Sequence, residues 1–565
     1  MVRNYEIQKS EDSPLNDLKF LAYGNFHPST EKMPWLPLTN YFQRAPVSHK
    51  FPFLKEERAG FFVENSLFFS ERKPQGNDFN KEAVEKGEIF LDDFSASDVF
   101  IGMSSDREIT GYQVGEVYGS APDCAYEEST DGRLSNSNYA SGAVNGAFLV
   151  NFDDNDWNNN GQAEVTVYIA AAENIKQTEE LLDEAKDNSF EHHLKKTEDW
   201  WDKWLQDAKL PDTENELILD ISKRSLVTIK NAYDKETGAI VASVSRQPPY
   251  FLDWPRDGAF INYALNRAGY HGMVEKHNEF YADIQRAGGS WGMNYYADGM
   301  EGGPILFEID NTALAVWTMW QHYEFTEDIS YLEGIYPSIR KAAELLHFWK
   351  DPTSNLHFYA HEDDNPLLTQ TLDGAVPIYL GLRSAVKAGK AVGEEEDTIN
   401  KWKDRADLLK KDIEEKLWNP EEGKIKSQGQ GDTWMIWPAE FRSFEDSRMQ
   451  ATADINWETV KENMEADTAG ESGQYEVSDI LALAKMWSGD EEKMEKLENS
   501  MEWVAEEIAG ESTLHFGEAH QLIEEQGELR WKNRVGIPHV WTHALFYLCA
   551  LEVYGEEDEA QIDEF

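Results

Sequence analysis

Hydrophobic positions along the chain follow two different periods, and the change falls near residue 210. From about Phe20 to Ala171 the apolar residues come in short alternating or aromatic runs broken by Gly, Asn, Asp, Ser and Pro. Gly60–Val63, Ser66–Phe69, Val99–Gly102, Gly146–Val150 and Glu164–Ile169 read as strands, and many short strands with frequent turns predict an antiparallel β-sandwich over 1–171. Residues 172–210 turn helical and charged, predicting a linker helix whose Trp200, Trp201 and Trp204 pack one domain against the other. Beyond Pro211 the period is that of helices. Thr213 and Glu216 have capping-box spacing ahead of the run Leu217 to Tyr233. Ten further helices are expected at about 257–269, 271–287, 309–326, 330–349, 371–392, 396–418, 455–465, 474–488, 490–508 and 537–554. Trp402, Ala406, Leu409, Ile413 and Leu417 share one face, as do Leu372, Val376, Tyr379, Leu382 and Val386, with Pro377 expected to bend the latter helix. Eleven helices joined alternately by short and long connections suggest stacked hairpins. Closed into a ring, six hairpins make an (α/α)6 barrel over 211–565 with one funnel-shaped mouth.

Charge narrows the partners. With 106 acidic and 52 basic residues the formal charge is −54, which argues against nucleic acid or an anionic membrane. The excess is spread along the whole chain and suits concentrated salt, where self-repulsion is screened. Cys124 and Cys549 are too few for a disulfide framework or a cysteine zinc cluster. The first residues lack the apolar core of a signal peptide, and no apolar run is long enough to span a bilayer. A soluble, cytoplasmic protein is expected.

The candidate chemistry gathers around Tyr250-Phe251-Leu252-Asp253-Trp254-Pro255-Arg256-Asp257, directly before a helical run. A turn feeding a helix presents its polar side chains at the helix mouth. Arg offers a rigid fork of donors, Asp accepts hydroxyl protons and Trp gives a flat apolar face, which together can hold a sugar ring. Taken alone, the Arg-Asp pair reads equally as a buried tie between the helix start and a neighbour. Three long connections, Gly288–Glu308 with Trp291, Asn355–Asn365, and Gly429–Pro438 with Trp437, concentrate aromatics, Gly and carboxylates. Glu362, beside Asp363 and Asp364 and after an apolar stretch, is placed to have a raised pKa, as a general acid requires. His361-Glu362-Asp363 could also be metal ligands, but no second His lies at a helical spacing. Glu518, amid Phe516 and His520 and shortly before Trp541-Thr542-His543, is a candidate general base; a satisfied helix-terminal Glu is the alternative. Asp156, Asn158, Asn160 and Gly161 match half of a calcium loop, but Val167 stands where a bidentate Glu is needed, so a polar hairpin turn is the better reading.

The run from Arg224-Ser225-Leu226 through Gly238-Ala239-Ile240-Val241-Ala242-Ser243 to Trp254-Pro255-Arg256-Asp257 resembles glycoside hydrolase family 15, the glucoamylase and glucodextranase family. The likeness continues through Glu308-Ile309-Asp310, the Trp349 to Asp363 connection, Phe516 to Gln521 and Trp541-Thr542-His543. It implies an α/α barrel behind a β-sandwich and an inverting hydrolase without cofactor that removes glucose from chain ends. Glu362 would be the acid, with Asp363 its binding neighbour, and Glu518 the base. Arg256 and Asp257 would hold the terminal glucose, Trp254 and Trp541 would line its pocket, and Trp291 and Trp437 are further substrate-binding candidates. This chain has His361-Glu362-Asp363 where the family usually has Trp-Glu-Glu, Gly517-Glu518-Ala519 for Pro-Glu-Gln, and Glu308 for Gln. These changes bear on which substrate is taken: α-glucan or maltooligosaccharide first, trehalose or an α-1,6-glucan next. An inverting phosphorylase, which replaces the base with a phosphate site, and a glycan-binding protein that has lost catalysis are the other readings.

Overall fold

The computed structural model describes residues 1–9, 18–26, 58–72, 99–117, 123–244, 250–303 and 307–555, which fall into two compact units, one within residues 1–206 and one from Asp207 onward.

Among the described residues the first unit has nine strands, β1 (Val2–Gln8), β2 (Leu18–Gly24), β3 (Ala59–Val63), β4 (Ser66–Ser70), β5 (Phe100–Ser105), β6 (Gly111–Glu116), β7 (Tyr139–Ser141), β8 (Val144–Phe152) and β9 (Gln162–Ala172). They form two antiparallel sheets, ordered β1-β9-β5-β4-β3-β7 and β2-β8-β6. Leu67 and Phe69 of the larger sheet share a buried core with Val114, Phe148 and Val150 of the smaller one. Phe68, pointing the other way, packs with Phe61, Phe100 and Tyr168 beneath a helix. Both faces of the larger sheet are thus covered, and for that reason Ser66–Phe69 reads as an apolar run instead of an alternation.

After a short helix, α1 (Ala125–Ser129), the stretch expected as one linker helix is two, α2 (Ile175–Lys186) and α3 (Phe190–Leu205), capped by the side chains of Asn174 and Ser189. A second cap restarts the helix and breaks it in two. Ile175 and Leu182 of α2 complete the outer core of the larger sheet. The turn between β8 and β9 is closed by Asn158, whose Oδ1 accepts from the N–H groups of Asn160 and Gln162 at 2.9 and 3.0 Å. Asp156 pairs with Arg107 at 2.5 Å.

The second unit is helical: α4 (Glu216–Ala232), α5 (Pro255–Ala268), α6 (His271–Ile284), α7 (Ile309–Thr326), α8 (Ile329–Phe348), α9 (Leu372–Val392), α10 (Glu396–Lys416), α11 (Gly431–Ile436), α12 (Ser447–Met464), α13 (Glu476–Trp487), α14 (Glu491–Trp503) and α15 (Val540–Val553). The odd-numbered helices touch in sequence from α5 to α15, and α15 touches α5, so they close a ring; the even-numbered ones pack outside it. Ring helices are buried nearly all round, as Ile309–His322 of α7 shows, whereas α10 buries mainly the stripe Trp402, Arg405, Ala406, Leu409 and Ile413. Eleven of the twelve helices are visible in the periodicity. The twelfth, α11, lies inside what reads as a loop, because six residues are too few to establish a period.

The cap of α4 also differs from expectation. Asn215 serves, its Oδ1 accepting from Leu217 and Ile218 N–H at 3.1 and 3.3 Å, while Thr213 Oγ1 accepts from Asn215 N–H. Asn is the better cap and sits one residue before the helix, so the Thr213–Glu216 box does not form. Further strands had no counterpart in the periodicity: a short pair, β10 (Trp418–Asn419) and β11 (Lys424–Ile425), a strand β12 (Ser472–Gln474), and a hairpin of β13 (Ala519–Glu525) and β14 (Glu528–Arg534), turned at Gln526-Gly527 with both residues at positive φ. Among the described residues no helix is long and apolar enough to cross a membrane.

Gly102 of β5 lets α2 approach the sheet: a Cβ there would lie 2.7 Å from Leu182 Cδ1 and 3.0 Å from Thr178 Cγ2. Gly102→Val is expected to lower stability by about 1–3 kcal/mol, measured by urea denaturation.

Candidate active site

The site is assembled at the N-terminal ends of the ring helices, and its anchor is Asp253. This fully buried carboxylate accepts from Ile240 N–H (2.7 Å), Tyr281 Oη (2.6 Å) and His277 Nε2 (2.8 Å). Its backbone exchanges hydrogen bonds with Tyr295. The chain therefore enters α5 at a fixed angle, with Trp254 as N-cap and Pro255 in the first helical position, where its missing N–H is no loss. Asn311 Oδ1 accepts from Arg256 N–H at 2.7 Å and so ties the starts of α5 and α7 together.

Arg256, 3% exposed, gathers carboxylates from two other connections. Its Nη1 lies 2.9 Å from Asp310 and 3.4 Å from Glu308, its Nε 3.4 Å from Asp363, and its Nη2 3.1 Å from Asp364. Asp257 is 3.8 Å from Nε. One buried cation cannot neutralise so many anions, and burial favours protonated carboxyls. Burial, reinforced by Asp364 and Asp310, holds the Glu308 carboxyl well above the usual range. Burial likewise raises Asp257 against the pull of Arg256, and lifts Asp363 to about 7.

Opposite this cluster, Glu518 stands just before β13. Tyr250 Oη donates to its Oε2 at 2.7 Å and Tyr475 Oη to its Oε1 at 3.0 Å. Burial raises its pKa, and the two tyrosine bonds partly offset that. Glu518, Asp364, Arg256, Asp257, Trp254, Trp541, Tyr250, Tyr475 and His539 line one cleft of about 20 Å3, the space of about one water molecule. His539, pushed down to about 3 by burial, is neutral there.

Of the expected site residues, Trp254, Arg256, Asp257, Glu518 and Trp541 thus meet at one cleft, and Asp363 joins them through Arg256. Glu362 does not. Its side chain, in a residue 2% exposed, turns away to the first turn of α9, accepting from Thr371 N–H, Thr371 Oγ1 (2.5 Å), Thr369 Oγ1 (3.0 Å) and His357 Nε2. A Cβ on Gly374 would come within 2.5 Å of its Oε1, so the helix backbone covers it. The cause is the turn Glu362–Asn365, where Asp363 (φ 48°) and Asp364 (φ 58°) are both left-handed; these two residues swing Asp364 into the cleft and leave Glu362 behind. Trp291 is also displaced from the expected role: it is fully buried and donates from Nε1 to Tyr281 O at 2.8 Å. Trp437 lines a different cavity. Tyr475, Asn311 and His539 have no counterpart among the expected site residues, and Tyr250 and Asp310 occur there only as members of quoted motifs. Tyr250 stood inside the quoted motif, whereas nothing along the chain marks Tyr475, which reaches Glu518 from an αL N-cap position before α13. Among the described residues no cluster of His, Cys, Asp and Glu suited to a metal is present.

Known proteins share features of this chain. A bacterial glucoamylase complexed with acarbose shares the fold at a TM-score of 0.62 and 14% identity, covering 88% of this chain and 75% of that one, and the helical ring fits the (α/α)6 architecture. An uncharacterized glycosyl hydrolase of Methanocaldococcus jannaschii is 32% identical over 214 residues, 38% of this chain and 33% of the relative. The chain therefore matches about a third of that relative's length. Residues 216–288, which carry α4, the Asp253 anchor and Arg256-Asp257, match the model of glycosyl hydrolases family 15. Over those residues the chain is similar to that family.

A pH test follows from Asp363. Its folded pKa of about 7 lies above the ordinary 3.8, so its contribution to stability is complete below the ordinary value and is lost as pH rises through the folded one. Asp363→Asn should show a shallower fall in urea midpoint than wild type between those two pH values.

Proposed function

We propose that the protein is an inverting, exo-acting α-glucosidase of the glucoamylase type, acting on α-glucan or maltooligosaccharide ends, with a β-sandwich ahead of the (α/α)6 catalytic barrel. The observation carrying this reading is the single cleft in which Glu518, braced by two tyrosine hydroxyls, faces Asp364 across Arg256 and Asp257. Inversion needs a base that activates water on one side of the sugar and an acid on the other. Glu518 is the base: Tyr250 and Tyr475 fix its orientation, and the water-sized space lies against it.

The acid role falls to Asp364, backed by Glu308, in place of Glu362. Glu362 would have to break bonds to Thr369, Thr371 and His357 before it could meet a glycosidic oxygen. Glu308 keeps a proton through burial and hydrogen-bonds Asp364, and two carboxyl groups can bond only by sharing a proton. Burial thus holds the Glu308 proton next to Asp364 at the edge of the cleft. Arg256 and Asp257 hold the hydroxyls of the terminal ring, and Trp254 and Trp541 supply apolar walls. A glucosyl ring is larger than the cleft, so its entry displaces side chains.

Glucose release from maltotetraose in molar salt tests the assignment. Glu518→Gln and Asp364→Asn should each fall at least ~100-fold, whereas Glu362→Gln should stay within about tenfold and lose thermal stability. A folded but equally inactive Glu362→Gln would return the acid role to Glu362. By proton NMR the first product should be β-glucose; α-glucose would refute inversion.

A further inference from the structure

A second cavity, of about 360 Å3, opens between the C-terminal halves of α5, α7 and α9 and the segment after α11. Tyr263, which lines it, is seven residues beyond Arg256, about 10 Å along the same helix. Phe260 stands between the two spaces. Its ring lies 5.7 Å from Trp541 of the first cleft and 5.8 Å from Trp437 of the second cavity.

The walls have a specific chemistry. Tyr263, Trp317 and Trp437 pack against one another with centroids 5.0–6.0 Å apart, and Trp320 and Phe325 extend the aromatic surface. The charges lining it cancel: Lys387 pairs with Glu324 at 3.4 Å, and Arg383 and Glu440 add one of each sign. Arg383 Nη1 donates to Ala439 O at 2.9 Å. Two buried donors of lining residues lack an acceptor in the protein, Nε1 of Trp320 and Nε2 of Gln321, in residues 8% and 2% exposed. Gln321 Oε1 is already engaged by Asn266 at 3.2 Å. Buried donors without acceptors are rare in folded proteins.

We infer that this cavity is a second, non-catalytic site for a neutral saccharide. Balanced wall charges give no advantage to an ionic ligand. A purely apolar one would leave the Trp320 and Gln321 donors unmet. A pyranose ring supplies hydroxyl acceptors on its edge and an apolar face for the aromatic rings, and the volume lies in the range of ligand sites, roughly 300–1,000 Å3. Its two lining carboxyls, Glu324 and Glu440, are balanced by Lys387 and Arg383, so the site holds sugar without cleaving it.

The site is tested by 19F NMR of the full chain labelled with 5-fluorotryptophan, titrated with maltotriose, with the Trp320 and Trp541 signals assigned by Trp320→Phe and Trp541→Phe. The Trp320 signal is expected to shift saturably in wild type and equally in Glu518→Gln. Gln321→Leu, folded by near-UV circular dichroism, should weaken that response about tenfold while glucose release stays at the wild-type rate. A Trp320 signal that does not move, or one unaffected by Gln321→Leu, overturns the inference. The Trp541 signal and the hydrolysis assay report on the first cleft separately, so failure of one site does not read as failure of the other.

Discussion

One buried guanidinium organises the N-terminal end of the helical ring. Arg256 is delivered by the first turn of α5 and meets Asp310 and Glu308 at the start of α7 and Asp363 and Asp364 on the turn before α9. A charge taken out of water is tolerated only when its partners are well placed, and removal of one partner leaves the others uncompensated. The converging connections are therefore held by the same interaction that sets their protonation. With more carboxyls than the cation can neutralise, burial keeps protons on Glu308 and Asp257 and shifts Asp363 to about 7. Structural tie and acid–base reservoir are one feature.

The helical ring explains why this is possible. Its inner helices are apolar on nearly every side, so their middles can only be core, and polar chemistry is confined to the two ends. At the N-terminal end the helix starts present free N–H groups and close-set connections, and the carboxylates gather there. At the C-terminal halves the lining is aromatic with balanced charge. Phe260, in contact with Trp317, Trp434, Trp437 and Trp541, keeps the two spaces apart.

Several buried polar residues spend their hydrogen bonds on geometry alone. Asp253 fixes the entry to α5, Asn311 joins two helix starts, and Asp373 accepts from the N–H groups of Gln428, Gly429 and Gly431, pinning the connection ahead of α11 to the start of α9. Gly429 has no alternative there, since a Cβ would fall 1.8 Å from Asp363 Oδ2. The Glu362 side chain lies beside this group, at the N-terminus of α9, where it accepts from four donor groups.

By itself the amino-acid sequence determined the two periodicities, the eleven longer helices, the five strands singled out and the placing of Trp254-Pro255-Arg256-Asp257 at a helix mouth, because each depends on spacing or local stereochemistry within a few residues. It also pointed to Glu518, an acidic side chain among aromatic and imidazole neighbours. Tertiary structure decided what spacing does not encode. Which of Glu362, Asp363 and Asp364 enters the cleft depends on two left-handed backbone angles, and three adjacent carboxylates look alike along the chain. Trp291 and Trp437 have equally suggestive surroundings, yet one packs into the core and the other lines the far cavity, since burial is settled by neighbours distant in sequence. Tyr475 reaches Glu518 only because α13 and the β13–β14 hairpin meet in space, a contact that no local pattern announces.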